Sequence, residues 1–351
     1  MRLALLTEIP APYRIPLFNA LAERVELRVL FLSRRDPRRG FYELHANEWR
    51  FDHRFLPGPQ LRRAGRWFVL NRRVLGELRG FRPDAVAVGG WNQPAFWVAL
   101  AYCRARRIPL LVWIESTARD ARSEARPLAL ARKAMVHGAS GAFVPGSASA
   151  EYARELGVER VEIAPNAVDA SIFERAAVDR SSRETCTFLY AGRLDPEKGL
   201  DTLLEAFRDV PGELVLVGSG SDEGRLRSLA PKRVRFEGPK DRDELVGYYA
   251  DADVFVLPSH SEPWGMVLNE AAAAGLPLVA TEGVGAAHDL ADERVPVGDV
   301  AALREALIRL AGDPALRARA GARSRERVQA FTPTAWAEGV VRLARASILQ
   351  P

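Results

Sequence analysis

The sequence predicts an α/β protein in which two doubly wound parallel sheets, each in its own Rossmann-like domain, face a central cleft. Short apolar runs alternate with helical patterns along the whole chain, at the spacing typical of strand–helix–strand units. Each half contains enough of these runs for a sheet of its own. A length of 351 residues also suits two domains.

Each predicted element follows from a local pattern. In the first half we expect strands over 3–7, 26–32, 85–89, 110–114, 141–144 and 161–164, and helices over 15–23, 68–79 and 95–106. In the second half we expect strands over 188–191, 213–217, 234–236, 253–257 and 278–280. Thr332 and Pro333 supply a cap and a first-turn proline for a final helix that runs to about residue 349.

The polar, unpatterned stretch 176–184 predicts a domain boundary. We therefore expect an N-terminal domain over 1–170 and a C-terminal domain over 171–332, followed by the final helix over 333–351. In open α/β sheets the ligand lies beyond the carboxyl ends of the strands, which places the predicted site in the cleft.

The composition is that of a globular protein, with 48% hydrophobic and 27% charged residues, and excludes disordered, collagen-like and coiled-coil chains. The longest apolar runs are interrupted or too short to span a bilayer. Glu8 ends the first apolar run too early for a signal peptide, so we expect a cytoplasmic protein. Cys103 and Cys186 lack partners at metal-ligand spacing and are expected to be buried thiols.

The positive charge is concentrated in the first half of the chain. Residues 1–170 contain 27 basic and 17 acidic residues, whereas residues 171–351 contain 23 and 28. Such a surface suits an anionic substrate or peripheral contact with an anionic membrane, and solvated helix faces are the plain alternative. Nucleic acid is not expected as a partner, because no helix-turn-helix, zinc-finger or RNP pattern accompanies the charge.

The segment from Gly192 to Gly199 begins at a strand end and leads into a helix. Gly192 permits a tight turn, and Arg193 and Lys198 are predicted to lie at the carboxyl edge of the sheet. Two cations at that edge suit a phosphate group. The chain has four lysines among 50 basic residues, so the lysine in this loop is a stronger candidate for a site than a random surface charge.

A second group of polar residues follows the predicted strand over 253–257. A helix is predicted to start near Gly265, so that the backbone amides of residues 265–267 form an anion site. Glu262 precedes this turn and Glu270 follows it, and each carboxylate can accept hydrogen bonds from paired hydroxyls. Two acids that bind hydroxyls beside groups that bind phosphate indicate a nucleotide-sugar site.

These motifs resemble those of the retaining glycosyltransferases of family 4, which adopt the GT-B fold. The resemblance is carried by Glu-Pro-Trp-Gly-x-x-x-Asn-Glu-Ala from Glu262 and by Gly-Arg-Leu-x-Pro-Glu-Lys-Gly from Gly192. It extends to 165–169, 216–220 and 236–238, and thus covers about half the chain. It implies transfer of a sugar from a nucleotide-diphosphate sugar to a sugar or lipid-linked hydroxyl acceptor, in cell-envelope polysaccharide or glycolipid assembly.

The resemblance also implies residue roles. Arg193 and Lys198 would neutralise the donor diphosphate, Glu270 would hold the ribose hydroxyls and Glu262 the sugar hydroxyls. No metal or other cofactor is then expected, and the final helix would return to the N-terminal domain. The implied donor-binding residues are Gly192, Arg193, Lys198, Gly218, Glu237, Gly238, Glu262, Trp264, Gly265, Met266, Val267 and Glu270.

The N-terminal half departs from the family pattern. Many relatives have a Gly-Gly loop after the first strand and a histidine after the strand over 110–114. Here Glu8 begins the first loop and Glu115 occupies the later position, so that Glu115 is the candidate for orienting or deprotonating the acceptor hydroxyl, with a plain helix cap as the alternative. The expected acceptor residues are Tyr13, Arg14, Gly90, Trp91, Asn92 and Glu115, and the expected catalytic residues are Arg193, Lys198, Glu262 and Glu115.

Two rival interpretations remain open at the level of sequence. Gly218, Gly220 and Gly224 follow a predicted strand and approach a dinucleotide or S-adenosylmethionine fingerprint, although the spacing has one extra residue. A non-catalytic nucleotide-sugar-binding module is the second rival. Asp251 and Asp253 imitate an Asp-x-Asp metal motif, but they precede their strand and are predicted at the wrong edge of the sheet.

Overall fold

A computed structural model describes residues 1–35, 46–63, 66–120, 126–176 and 185–349. The strands are β1 (Arg2–Thr7), β2 (Glu26–Phe31), β3 (Asp52–Phe55), β4 (Gln60–Arg63), β5 (Arg66–Val69), β6 (Ala85–Val88), β7 (Leu110–Trp113), β8 (Gly141–Val144), β9 (Val161–Ile163), β10 (Thr187–Ala191), β11 (Glu213–Val217), β12 (Val234–Gly238), β13 (Val254–Leu257), β14 (Leu278–Thr281) and β15 (Glu293–Val295).

The helices connect these strands and cover the sheets. They are α1 (Ile15–Ala22), α2 (Val74–Phe81), α3 (Pro94–Arg106), α4 (Arg126–Gly138), α5 (Ser147–Glu155), α6 (Ala170–Glu174), α7 (Leu200–Ala206), α8 (Glu223–Leu229), α9 (Arg242–Asp251), α10 (Met266–Ala273), α11 (Ala287–Leu290), α12 (Val300–Gly312), α13 (Pro314–Val328) and α14 (Pro333–Leu349). No described helix combines the length and the apolarity needed to cross a membrane.

The first half forms a seven-stranded parallel sheet in the order β3-β2-β1-β6-β7-β8-β9. The strand order reverses between β1 and β6, where Leu5 pairs with Val29 on one side and Ala87 on the other. In such a sheet the crevice at the reversal is where ligands bind. β4 and β5 form a separate antiparallel pair.

The second half forms a six-stranded parallel sheet in the order β12-β11-β10-β13-β14-β15. This is the doubly wound Rossmann order, with its reversal between β10 and β13. β13 is buried along its whole length, as expected of a parallel strand covered on both faces. The loops after β10 and β13, which contain the candidate motifs, therefore leave the sheet side by side.

Helix α14 packs on the N-terminal sheet, as expected. Ala335 donates its amide to the Thr332 hydroxyl at 3.1 Å, which confirms the predicted cap. Trp336 is fully buried, and its ring lies 5.3 Å from that of Trp113 and 6.0 Å from that of Phe18. The last helix thus completes the core of the first domain.

Most predicted elements are confirmed, with end points that differ by a residue or two. The predicted helix over 68–79 is wrong at its start, because Phe68 lies in β5 and α2 begins at Val74. Strands β3 and β15 at the sheet edges have no counterpart among the predicted elements. Most of the predicted boundary stretch 176–184 lies outside the described residues.

Candidate active site

The turn after β10 is shaped by two glycines. Gly192 has φ +154 and Gly218, after β11, has φ +132, and a side chain on Gly218 would overlap the Gly192 carbonyl. The Gly192 amide donates to the Val217 carbonyl at 3.0 Å, and the Gly218 amide donates to the Gly238 carbonyl at 2.8 Å. These contacts hold the ends of three adjacent strands together and direct the residues after Gly192 into the cleft.

Arg193 and Lys198 leave this turn in different environments. Arg193 is largely exposed and is paired with Asp195 and, at 2.9 Å, with Glu197. Lys198 is buried, and its ammonium forms an ion pair with the Glu262 carboxylate. Lys198 and Arg193 thus differ in burial, and each would have to leave a carboxylate partner in order to contact an anion.

The Lys198–Glu262 pair brings together two motifs that lie 64 residues apart in the chain. The backbone of Glu262 is held by β14 and its loop: its amide donates to the Gly283 carbonyl at 2.9 Å, and its carbonyl accepts from Gly285 at 3.0 Å. The sequence analysis assigned both side chains to the donor, and the structure places them in direct contact.

The start of α10 lies next to this pair. Gly265 adopts φ +93 as the N-cap, and a Cβ there would come within 3.0 Å of the side chains of Leu257 and Val284. The first amides of a helix have no intrahelical acceptor, so those of residues 265–267 are available to an anion. Met266 and Val267 are half-buried, as suits residues at the rim of a cleft.

Trp264 is not an exposed platform for a sugar. Its ring is buried, and its Nε1 donates to Asn269 Oδ1 at 2.8 Å. Asn269 Nδ2 in turn donates to the Asn166 carbonyl at 3.0 Å. Trp264 therefore has a structural role in this loop. Asn269 links it to the segment that connects the two halves of the chain.

Glu270 lies one turn into α10 and is half-buried. Its carboxylate accepts a hydrogen bond from the Tyr249 hydroxyl at 2.8 Å. Burial raises the pKa of Glu270 to about 7, against the smaller opposing effects of Tyr249 and of the Arg242 charge. The side chain is thus held in one position and is about equally ionised and neutral near neutral pH. Tyr249 is a partner that the sequence analysis did not identify.

Two of the expected donor-binding residues, Glu237 and Gly238, lie at the end of β12. Glu237 accepts a hydrogen bond from the Tyr248 hydroxyl at 3.2 Å, and Gly238 has φ +70. Gly218 and Gly220 both lie against the 192–194 turn, and a side chain on Gly220 would overlap Leu194. A Cβ added at Gly224 would have no heavy atom within 4 Å. Gly224 therefore does not provide the close approach of helix and strand that a dinucleotide-binding fingerprint requires.

Glu115 lies at the carboxyl end of β7 with both carboxylate oxygens bound. Arg14 donates to Oε2 at 2.5 Å and Asn166 donates to Oε1 at 3.2 Å. The Arg14 guanidinium also stacks 4.3 Å from the Trp113 ring. This arrangement favours an orienting carboxylate over a free base. Thr7, which accepts from Arg14 at 3.1 Å, is a further polar group at this position.

A second acceptor-side cluster lies at the carboxyl ends of β1 and β6. Glu8 accepts hydrogen bonds from Asn92 at 2.7 Å and from Gln93 at 2.9 Å. Gly90 has φ +130 and turns the chain toward this group, while Trp91 uses its carbonyl to accept from the indole of Trp97. Gln93 was missed by the sequence analysis, although its place directly after two expected residues was a signal for it.

The two halves meet at the start of α5. Asp289 from the C-terminal half accepts a hydrogen bond from the Ser147 amide at 3.0 Å. The adjacent Gly146 leaves no room for a side chain, since a Cβ would overlap Asp289 and lie 2.6 Å from the Trp264 ring. Arg119 pairs with Glu282 at 2.7 Å across the same junction. These contacts join the two halves of the chain beside the Trp264 loop.

Other titratable groups are placed away from this cluster. Asp253 accepts from the Thr187 amide at 2.8 Å, at the amino edge of the sheet, as predicted. Among the described residues, no group of three or more His, Cys, Asp and Glu side chains is arranged to hold a metal ion. Cys103 and Cys186 are buried thiols, and burial raises the pKa of each to about 12.

Two family descriptions match the chain. Residues 17–172 match "Glycosyltransferase Family 4" and residues 174–327 match "Glycosyl transferases group 1". Glycogen synthase of Mycobacterium tuberculosis is 32% identical over 298 residues, which are 77% of this chain and 69% of that protein. The chain belongs to glycosyltransferase family 4. Phosphatidyl-myo-inositol mannosyltransferase of Mycolicibacterium smegmatis is 39% identical over 193 residues, about half of each chain.

Solved structures show that this family 4 glycosyltransferase has the GT-B fold. Sucrose-phosphate synthase from Thermosynechococcus elongatus superposes with a TM-score of 0.74, at 22% identity over the full length of both chains. HepE of Anabaena, solved with UDP and glucose, superposes with a TM-score of 0.74 at 16% identity over 99% of this chain and all of that one. The two facing Rossmann-like domains are thus confirmed, and the dehydrogenase and methyltransferase alternatives do not stand.

The raised pKa of Glu270 predicts a pH-dependent stability. Between pH 4.5, the ordinary pKa, and about 7, the folded protein keeps a proton that the unfolded chain releases, so that this carboxyl lowers stability as the pH rises. Glu270→Gln should remove that contribution. Urea unfolding across this window should show the variant gaining stability relative to wild type with increasing pH, and a constant difference would contradict the prediction.

The junction at Gly146 predicts a second effect. Gly146→Ala should hold the two domains slightly apart and slow sugar transfer by up to about 100-fold, because small misplacements of reacting groups are costly. Gly80→Ala is the matched control, since a Cβ at that position of α2 meets no heavy atom within 4 Å. Turnover together with small-angle scattering measures the effect. If Gly146→Ala left both the rate of sugar transfer and the radius of gyration unchanged, the contact at Gly146 would not limit how closely the two domains approach.

Proposed function

We propose that this glycosyltransferase moves a sugar from a nucleotide-diphosphate sugar to a hydroxyl acceptor with retention of anomeric configuration, without a metal ion or other cofactor. The contact between Lys198 and Glu262 beside the start of α10 carries the proposal. A buried cation, a carboxylate and the first amides of α10 lie close together there, which supports binding of a phosphate beside sugar hydroxyls. Retention is supported by the motifs shared with family 4.

The donor would be held mainly by the C-terminal domain. Breaking the bond between the anomeric carbon and phosphate builds negative charge on the diphosphate, which Lys198, Arg193 and the amides at the start of α10 would stabilise. As Lys198 turns to the phosphate, Glu262 would be released to accept the sugar hydroxyls. Glu270, already fixed by Tyr249, would accept the ribose hydroxyls.

The acceptor would be held by the N-terminal domain. Glu115 would orient the attacking hydroxyl, because Arg14 and Asn166 hold its carboxylate at the carboxyl edge of β7. Glu8 and Asn92 add a second polar group for a sugar acceptor. The names of the curated relatives, a glycogen synthase and a phosphatidyl-myo-inositol mannosyltransferase, support an acceptor that is a polysaccharide or a glycolipid.

Variants of the phosphate-binding lysine test the site. Lys198→Ala should lower turnover about 10²–10³-fold, since it removes one group that stabilises the departing diphosphate. Lys232→Ala, which removes the same charge outside the candidate site, is the control. A panel of uridine- and guanosine-diphosphate sugars identifies the donor, and NMR of the product reports its anomeric configuration. Near-normal donor turnover by Lys198→Ala, or an inverted product, would contradict the proposal.

A lipid-linked acceptor would bring the protein to a membrane surface. The excess of basic residues in 1–170 supports peripheral contact with an anionic bilayer at the inner face of the cell membrane. Co-sedimentation should then be stronger with vesicles that contain anionic phospholipid than with neutral vesicles, and should weaken as salt is added. Equal binding to the two kinds of vesicle would contradict membrane contact.

A further inference from the structure

A second concave site lies at the opposite edge of the N-terminal sheet. It has a volume of about 840 Å³ and lies where β1, β6 and β7 begin, beside the end of α14. The candidate active site lies where the same strands end, roughly 20 Å away for a six-residue strand. This basic groove is therefore separate from the cleft, and its volume is in the range of ordinary small-molecule sites.

The groove contains several arginines whose charge is not neutralised by any residue that the structure describes. Five arginines line it, namely Arg2, Arg82, Arg106, Arg107 and Arg345. Asp84 is the acidic residue of the lining, and it is engaged by Arg2 through an ion pair at 3.9 Å and a backbone hydrogen bond at 2.7 Å. Within the described parts of the chain the other four arginines form no ion pair or side-chain hydrogen bond.

Two of these arginines occupy positions that favour glycine. Arg82 follows α2 with φ +52 and Arg107 follows α3 with φ +55, and they are the non-glycine residues with positive φ in the described chain. A left-handed residue after a helix is usually glycine, because a residue with a Cβ is disfavoured in that conformation. Two strained arginines beside one groove point to a use for their guanidinium groups.

Apolar side chains complete the lining. Ile108 and the buried ring of Tyr102 form one wall. Ile348 and Leu349, on the last turn of α14, are 37% and 80% exposed, so they offer apolar surface that the described residues leave uncovered. A ligand matching both features has an anionic head that the arginines can grip and a hydrocarbon part beside α14. Phosphate suits guanidinium groups best because of their paired donors.

We propose that the basic groove binds a phosphorylated amphiphile, as a single molecule and apart from the sugar donor. The proposal goes beyond the proposed function and does not depend on it. Arg82, Arg107 and Arg345 would contact the phosphate, and Ile348 and Leu349 would contact the hydrocarbon.

The test uses the full chain and a short-chain phosphatidic acid that is monomeric in water, with calorimetry as the readout. The double variant Arg82→Gly/Arg107→Gly should bind it at least about tenfold more weakly, because each guanidinium contributes charged hydrogen bonds. Glycine suits both backbone positions, so the variant should unfold at the same temperature as wild type or higher. The control Arg319→Ala/Arg325→Ala removes the same charge from exposed positions of α13 and should bind normally.

Companion probes separate the possible sources of binding. Inorganic phosphate and the matching phosphatidylcholine should each bind much more weakly than phosphatidic acid. Inorganic phosphate lacks the hydrocarbon part, and phosphatidylcholine lacks a net anionic head because a quaternary ammonium offsets its phosphodiester charge. Equal binding of inorganic phosphate would overturn the amphiphile assignment. Absence of binding at millimolar probe, or equal loss in both double variants, would overturn the site. The double variant could bind anionic vesicles less well than wild type although wild type does not bind the monomeric lipid. That result would show that the arginines contact a bilayer surface, and it would also overturn the site.

Discussion

The ion pair between Lys198 and Glu262 is the interaction on which the candidate site depends. It exists because β10 and β13 are neighbours at the point where the strand order reverses, so that their following loops meet. Removing two charges from water is costly unless each has a partner, and in this site Lys198 and Glu262 are each other's partner. In the proposed reaction a diphosphate would take the place of the carboxylate at Lys198, and sugar hydroxyls would take the place of the lysine at Glu262.

A chain of hydrogen bonds crosses the junction between the two domains. Asn166 donates its side-chain amide to Glu115 and its carbonyl accepts from Asn269, which also holds Trp264. One residue in the connecting segment thus contacts the expected acceptor group on one side and the support of the donor loop on the other. Gly146 lies directly against the Trp264 ring, so that the two domains are in close contact beside the candidate active site.

The N-terminal sheet presents different chemistry at its two edges. At the carboxyl edge, Arg14 is matched by Glu115 and stacks on Trp113, so that its charge is satisfied within the protein. At the amino edge, the arginines that follow α2 and α3 have no such partner among the residues that the structure describes. Strand direction separates the two groups, because residues before and after a short parallel strand lie at opposite ends of the sheet. The excess positive charge of this half is therefore not spread evenly.

The sequence by itself determined most strands of the two parallel sheets, the two doubly wound domains and the chemical character of the loops at Gly192 and Glu262, because alternating patterns, glycines and capping residues are local signals. It did not reveal the edge strands β3 and β15. It misplaced the start of α2 because apolar periodicity over 68–79 does not distinguish a hairpin strand from a helix. The tertiary structure alone decided that Lys198 meets Glu262, that Tyr249 fixes Glu270, and that Arg14 and Asn166 occupy both oxygens of Glu115. These partners lie tens of residues apart, and strand order and side-chain direction, which no local pattern encodes, bring them together.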